Sequence, residues 1–479
     1  METIYLDHNA TTPTRPEVVE AMTECGLAGY ANAASQHRPG QQARRALEEA
    51  RETIAEILDA DLAPPRRDRL IFTSGGTEAN NLAVLGIARA NISPRPRAEE
   101  GAGVAAGRII ISAGEHQSVI EPAEHLLEQG WRLDTLGLTA AGVVRVDQLP
   151  PLLGDCPNFR LSENGTVPLG GARLVSVQLG NHETGVLQPV AELAALCNRA
   201  GVPLHTDAVQ VVGKLPVSFR GLGVAAMSIS AHKFQGPPGI GALLLRDGVP
   251  LAPLLFGGHQ QEGLRPGTEP VALAIGMATA LELWRKEHDE SARRLTALRD
   301  RFEHGLRAAL PDIVVHGASC PSEPVGQTFI SGGQTFLSAS AASAVSFVPG
   351  QTGMSAPPDP RPGDGSATAI PTSKPAVIPT PVPPDPRLPQ TSNVAFPGHD
   401  GEMLRMALDL AGVACSVGSA CSSGSTELSP TLRAMGLSNE LVKSSLRFSF
   451  GATTTEAEID EAIRRIVHVC RELDGGQVG

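Results

Sequence analysis

Ser228-Ile229-Ser230-Ala231-His232-Lys233-Phe234 carries a short apolar strand, Ala226–Ile229, into a compact polar cluster. A lysine at the mouth of a strand, beside Ser and His, can be desolvated enough to act as an amine nucleophile. That is what a Schiff base with an aldehyde cofactor requires. The chain has five lysines among 479 residues, so each lysine position stands out. A surface lysine following an edge strand gives the same local pattern, and this segment alone leaves both readings open.

Outward from that turn, helical patterns alternate with short apolar runs from about residue 40 to 270. Gln41–Leu58 reads as an amphipathic helix with Ala46, Ala50, Ile54 and Leu58 on one face. Leu70–Thr73, Arg108–Ser112, Leu174–Gln178, Pro203–Thr206 and Ala242–Leu245 join Ala226–Ile229 as strand candidates. Continuous apolar strands interleaved with helices predict an α/β fold whose parallel or mixed sheet is covered on both faces. Ligands of such sheets collect at the carboxyl ends of the strands.

Past Pro270 the pattern is mostly helical, over Ala272–His288, Ser291–Leu310, Gly401–Ala411 and Glu456–Leu473, and predicts a smaller α+β domain. Residues 320–386 interrupt it with a Ser-, Gly-, Thr-, Ala- and Pro-rich stretch. Gly326–Ser331 (GQTFIS) is repeated as Gly333–Ser338 (GQTFLS) and in decayed form at Gly350–Ser355. Such a stretch buries too little apolar surface to offset its ordering entropy, so it is expected to be a disordered insertion. A partner-docking tether is the functional alternative, supported only by the proline content.

The bulk numbers narrow the class. An apolar content of 41% suffices for a sizeable core, and the length suggests two or three domains. A net charge of −12 argues against nucleic acid or an anionic membrane as the main partner. No apolar stretch approaches the roughly 18 residues of a membrane span. Met1–Asp7 lacks the basic-then-apolar pattern of a secretory leader. Cys25, Cys156, Cys197, Cys320, Cys415, Cys421 and Cys470 are scattered, odd in number and form no Cys-x-x-Cys pair. This is neither a disulfide framework nor a metal site. A cytoplasmic protein with reduced thiols is the expectation.

Three further elements bear on the lysine. Ser74-Gly75-Gly76-Thr77-Glu78 follows a strand and opens a helix; its Gly-Gly turn frees backbone N–H groups for an anion, and the Thr77 hydroxyl adds a donor. Asp207, 26 residues before Lys233, ends a strand where a carboxylate can hold a pyridine nitrogen cationic, with Gln210 spaced to reach the same ring. His116 follows the strand Arg108–Ser112 and can stack on a flat cofactor and move protons. Each also has a plain reading, as a capped turn, a turn carboxylate and a capped loop histidine. Together they form a set that one α/β sheet can satisfy: anion turn, stacking imidazole, ring-nitrogen carboxylate and amine.

With those residues in order, the sequence resembles the fold-type I pyridoxal-phosphate enzymes of the class V aminotransferase group, and within it the cysteine desulfurases of the NifS/IscS kind. The resemblance covers nearly all of the chain outside the insertion. It begins with Tyr5–Pro13 (YLDHNATTP) and Asn32–His37, and continues through Phe256–His259 and Arg265–Thr268. It closes with Gly418–Gly424 (GSACSSG) and Ser445–Ser449. It implies an arm over residues 1–15 packing on the small domain, a large domain over 16–270 with a mostly parallel seven-stranded sheet, and a small domain from 271–319 and 387–479. It also implies pyridoxal 5'-phosphate as cofactor, L-cysteine as substrate, a homodimer, and a sulfur acceptor such as an iron–sulfur scaffold protein. A selenocysteine lyase, a class V aminotransferase and a catalytically retired scaffold stand as alternatives.

Cys421 separates these readings. It lies in a run of small residues that suits a mobile loop, where an accessible thiolate could take sulfur from the substrate; from composition alone an inert cysteine fits as well. The resemblance assigns it the persulfide, with Cys415 as a structural neighbour. It further assigns Gly76, Thr77, Ser230 and His232 to the phosphate, Thr268 to the neighbouring subunit's phosphate, and Arg447 with Asn32 to the substrate carboxylate. The sequence departs from the family at His182, where a second Asn is common near the cofactor's phenolic oxygen.

Overall fold

In chain order, β1 (Ile4–Tyr5), α1 (Pro16–Leu27) and α2 (Arg38–Ile57) precede the first strand of the main sheet, β2 (Arg69–Thr73). There follow α3 (Gly76–Arg89), β3 (Arg108–Ser112), α4 (Gln117–Glu128), β4 (Arg132–Leu136), α5 (Leu149–Leu153) and β5 (Ala172–Ser176). Then come α6 (Val190–Ala200), β6 (Leu204–Asp207), α7 (Phe219–Leu222), β7 (Ala226–Ser230), β8 (Gly241–Leu245) and α8 (Val271–Ala309). The chain closes with β9 (Val314–His316), β10 (Thr391–Ala395), α9 (Gly401–Leu410), β11 (Val413–Ala414), β12 (Ser416–Val417), α10 (Pro430–Ala434), α11 (Asn439–Lys443), β13 (Ser445–Ser449) and α12 (Glu456–Gly475). This computed structural model describes residues 2–29, 31–65, 67–90, 107–153, 171–317, 385–417 and 428–475, all within one unit of the chain. The expected insertion at 320–386 lies outside them, apart from Asp385 and Pro386 at its end, and Cys421 lies outside them too.

Seven strands form the main sheet in the order β2-β8-β7-β6-β5-β3-β4. All neighbours are parallel except β8, which runs antiparallel to both β2 and β7. The period-2 rule sorts its side chains into two layers. Leu70, Phe72, Ile110 and Leu244 pack with Leu47 and Ile54 of α2 and Met277 of α8. Ile71, Ile109, Ile111, Leu243 and Leu245 pack with Leu82 of α3 and Leu126 of α4 on the other face. The mixed sheet covered on both faces therefore stands as expected, with strand ends within two residues of the sequence reading. β4 was not anticipated, because Arg132-Leu133-Asp134-Thr135 is a polar edge strand.

A separate antiparallel sheet, β12-β13-β10-β9, packs on the second half of α8 and on α9 and α12. Phe302 of α8 meets Phe448 and Phe450 at ring-centroid distances of 4.9 and 5.4 Å, contacts worth about 0.5–1.5 kcal/mol each beyond area burial. The two helices expected over Ala272–His288 and Ser291–Leu310 are one 39-residue helix. The charged run Lys286–Glu290 between them holds no Gly or Pro, so the backbone continues through it as an exposed turn. Ala274, Met277 and Leu281 of this helix join the core of the main sheet, and Leu295, Leu298, Phe302 and Leu306 join that of the antiparallel sheet.

Candidate active site

β2, β3, β6 and β7 all deliver their carboxyl ends to one edge of the main sheet, where a cavity of about 250 Å³ opens. Gly76, Thr77, His116, His182, Asp207, Gln210, Ser230, His232 and Lys233 line it. Every sequence candidate for the cofactor except Thr268 is therefore in one place. Thr268 is exposed on the surface, as is Asn32, whose Oδ1 accepts the Ala34 N–H at 2.9 Å; neither lines the cavity.

Lys233 sits on the single helical turn Ala231–Phe234 that follows β7. Its Nζ donates to the carbonyls of Asn9 (2.6 Å) and Ala10 (2.9 Å). The N-terminal segment is thus a wall of the site, anchored by the Thr12 hydroxyl on the His232 carbonyl at 2.7 Å. Behind the turn, the buried Lys214 donates from Nζ to the Lys233 carbonyl at 2.6 Å. Burial, and then the charge of Lys233, push Lys214 down to about 7. Gly213 is needed beside it: its φ is +78°, and a Cβ there would stand 2.1 Å from that of Phe234. Burial, followed by Lys233 and Lys214, also pushes His232 down to about 4.

Asp207 ends β6 with both oxygens accepting, Oδ1 from the Val209 N–H at 2.9 Å and Oδ2 from Asn80 Nδ2 at 2.7 Å. His116 caps α4, its Nδ1 accepting the Ser118 N–H at 3.1 Å. Its ring meets that of His182 edge-on, with centroids 5.3 Å apart. Burial, then His116, Arg447 and Lys233, hold His182 far below the usual histidine range. Glu115 is fully buried against the Ser112 hydroxyl and the Gln178 N–H, and burial raises it to about 8.

The fit of an anionic, aromatic ligand is testable on the protein's own atoms. Ser230 Oγ, Gln210 Oε1, His182 Nδ1 and Asn80 Oδ1 are buried at the cavity without a hydrogen-bond partner among the described residues. Buried polar atoms are rarely left so, and four around one cavity call for a ligand with polar groups. At the mouth of α3, a Cβ on Gly76 would lie 2.9 Å from the Val209 side chain and 3.4 Å from Ser230 Cβ, so only glycine leaves this cradle open at a helix N-terminus. Phosphate, pyridine nitrogen and phenolic oxygen all find suitable groups here.

Arg447, on β13, stands behind the cavity rather than in it. Its Nη2 pairs with Asp7 at 2.8 Å and its Nη1 donates to the His182 carbonyl at 3.1 Å, while its buried Nε has no partner among the described residues. Cys415 is pushed up to about 12 by burial and then by Asp7, so it is a poor nucleophile. Among the described residues no His, Cys, Asp and Glu group could hold a metal ion, and no helix is long and apolar enough to cross a membrane. Asn80, Ser118 and Lys214 escaped the sequence reading, since a polar residue in a helix or loop carries no signal of a partner distant in sequence.

Comparison with known proteins extends over nearly the whole chain. The family Aminotransferase class-V matches residues 4–330 and 377–462. The break falls inside the low-complexity stretch. An IscS-like cysteine desulfurase of Mycobacterium tuberculosis is 35% identical over 96% of this chain and 94% of its own length. The cysteine desulfurase NifS of Azotobacter vinelandii is 31% identical over 99% and 94%. The solved structure of a NifS-like protein from Rickettsia africae superposes with a TM-score of 0.71 at 24% identity, covering 98% of this chain and 99% of that one, and shows the shared fold.

Proposed function

The chain belongs to the aminotransferase class-V family, and from that premise we propose that it is a pyridoxal-phosphate-dependent cysteine desulfurase. It converts L-cysteine to L-alanine and passes the sulfur to Cys421. The observation that carries this reading is the cavity in which Lys233, Asp207 and His116 meet the orphaned Ser230 and Gln210, in a chain similar end to end to curated desulfurases.

Lys233 would hold the cofactor through its amine. Asp207 would pair with the ring nitrogen, His116 would lie on the ring, and Gln210 with His182 would face the phenolic oxygen. Gly76, Thr77, Ser230 and His232 would take the phosphate. When bound, the group supplies an electron sink for bonds to the substrate's α- and β-carbons. Lys233 is the base suited to move the α-proton, because its amine lines the cavity and is held there by the Asn9 and Ala10 carbonyls. Arg447 retains an Nε without a partner among the described residues to offer a carboxylate, whereas Asn32 is exposed and does not line the cavity. In the net reaction the Cβ–S bond breaks with its electron pair left on carbon, which takes a proton. The sulfur joins the Cys421 thiol as a persulfide, and one cysteine yields one alanine.

A homodimer is part of the same proposal. Leu255 and Phe256, 51% and 88% exposed, precede Thr268 on one stretch of surface loop, an apolar feature that suits a subunit contact. Thr268 would then reach the neighbour's phosphate. The persulfide would serve an acceptor protein such as an iron–sulfur scaffold, in the cytoplasm. The test is single-turnover alanine release from L-cysteine by the wild type and Cys421→Ala, with visible absorption recorded on both. Alanine from the wild type alone, with absorption kept in both, supports the reading. Full activity in Cys421→Ala would remove this thiol from the sulfur path, and faster turnover of L-selenocysteine would favour the lyase.

A further inference from the structure

Asp207 and His116 are joined by a chain of hydrogen bonds whose direction can be worked out. Both oxygens of Asp207 accept, which is the geometry of a carboxylate. The Asn80 amide nitrogen supplies one proton to Asp207 Oδ2 at 2.7 Å and the other to Ser118 Oγ at 2.8 Å. Turning that amide over would set its oxygen against the carboxylate, so the orientation holds even though Asn80 Oδ1 is left without a partner. Ser118 Oγ, having accepted from Asn80, turns its own hydrogen to His116 Nδ1, 2.8 Å away. The Ser118 backbone N–H donates to the same nitrogen at 3.1 Å. Asn80, Ser118 and Asp207 are all buried, and all line the cavity.

We propose that Asn80 and Ser118 are positioning residues that fix His116 in the tautomer with its proton on Nε2, and that they tie this setting to the charge on Asp207. His116 then meets whatever fills the cavity as a hydrogen-bond donor and not as a base. The accepting group for a substrate proton is left to Lys233. What the donor meets rests on the desulfurase reading; the tautomer belongs to the protein alone.

The experiment is nitrogen-15 NMR of the full-length protein labelled at histidine, before and after pyridoxal phosphate is added, with the His116 signals identified by their loss in His116→Gln. In the wild type, Nδ1 is expected at the position of an unprotonated nitrogen and Nε2 at that of a protonated one. Ser118→Ala removes the hydroxyl donor and moves the Nδ1 resonance towards that of an unbonded nitrogen. Asn80→Ala moves it in the same sense by less, and Ser118→Thr, which keeps the hydroxyl, returns it to the wild-type position. A proton on Nδ1 in the wild type would overturn the tautomer without any variant being made. An Nδ1 resonance indifferent to Asn80→Ala would overturn the link to Asp207. Absent desulfurase activity would leave both results standing, so the two readings fail separately.

Discussion

The cavity and the ion cluster around Arg387 are both buried and both polar, but their polar groups are satisfied in different ways. Arg387 pairs with Glu303 at 2.8 Å and with Asp385 at 2.7 Å. Arg299 pairs with the same Asp385 at 3.0 Å, and Ser392 donates to Glu303 at 2.8 Å. Among the described residues no polar side-chain atom of that cluster is orphaned, whereas four are at the cavity. Burial alone therefore does not mark a binding site. What sets the cavity apart from the ion cluster is several unfilled hydrogen-bonding atoms gathered around one open space, which a ligand can close.

The contrast can be broken most directly at Lys233. Lys233→Ala is expected to cost on the order of 10³-fold in turnover, the range for losing a positioned proton-transfer group, and to abolish the visible absorption of lysine-bound cofactor. Folding should be retained, which urea denaturation of the apo-protein would check. Arg387→Met should do the reverse. Leaving Glu303 and Asp385 without their main cation is expected to cost about 3–5 kcal/mol of stability, read from the shift in denaturation midpoint. Cofactor affinity of the folded fraction should stay as in the wild type; a stable Arg387→Met would erase the distinction between the regions.

Smaller effects sharpen it. Ser230→Ala removes a hydroxyl that no described residue satisfies. Cofactor affinity, titrated by absorbance, is expected to fall by about 1.5–3 kcal/mol, the worth of a hydrogen bond to a charged group, while apo-protein stability holds or rises. Glu115 gives a pH signature. Burial lifts its folded-state value to about 8 from an ordinary 4.5, so the unfolded chain releases this proton first and stability falls as pH rises between those values. Glu115→Gln should match the wild type in its slope below about pH 4.5 and gain on it progressively up to about pH 8, measured by thermal unfolding across that range. A constant difference would place an ionised carboxylate at this position.

Much of this was legible in the chain. Lys233, Asp207, Gly76–Thr77 and His116 each follow a short apolar run, and the rule that ligands gather at carboxyl strand ends brings them together before any coordinate is known. The strands of the second sheet were not legible, because Thr391-Ser392-Asn393 and Ser445 are polar and are buried against Asn9, Glu303, Glu183 and His316, all distant in the chain. Val271–Ala309 was split in two because a charged run resembles a break, although nothing in it interrupts backbone hydrogen bonds. Arg447 was read as a substrate partner, and its present pairing with Asp7 could not be read, since the two are linked only through the contact of β13 with the N-terminal segment.

The α/β class, the order of the chemically active residues and the family can be read from the chain alone, because local periodicity and short motifs are properties of neighbours in the chain. Folding alone brings the Asn9 and Ala10 carbonyls to Lys233, sets Lys214 behind it, and links Asp207 to His116 through Asn80 and Ser118. Those contacts join residues far apart in the chain. They exist because burial forces each polar atom to find a partner wherever the fold supplies one, and that search is three-dimensional.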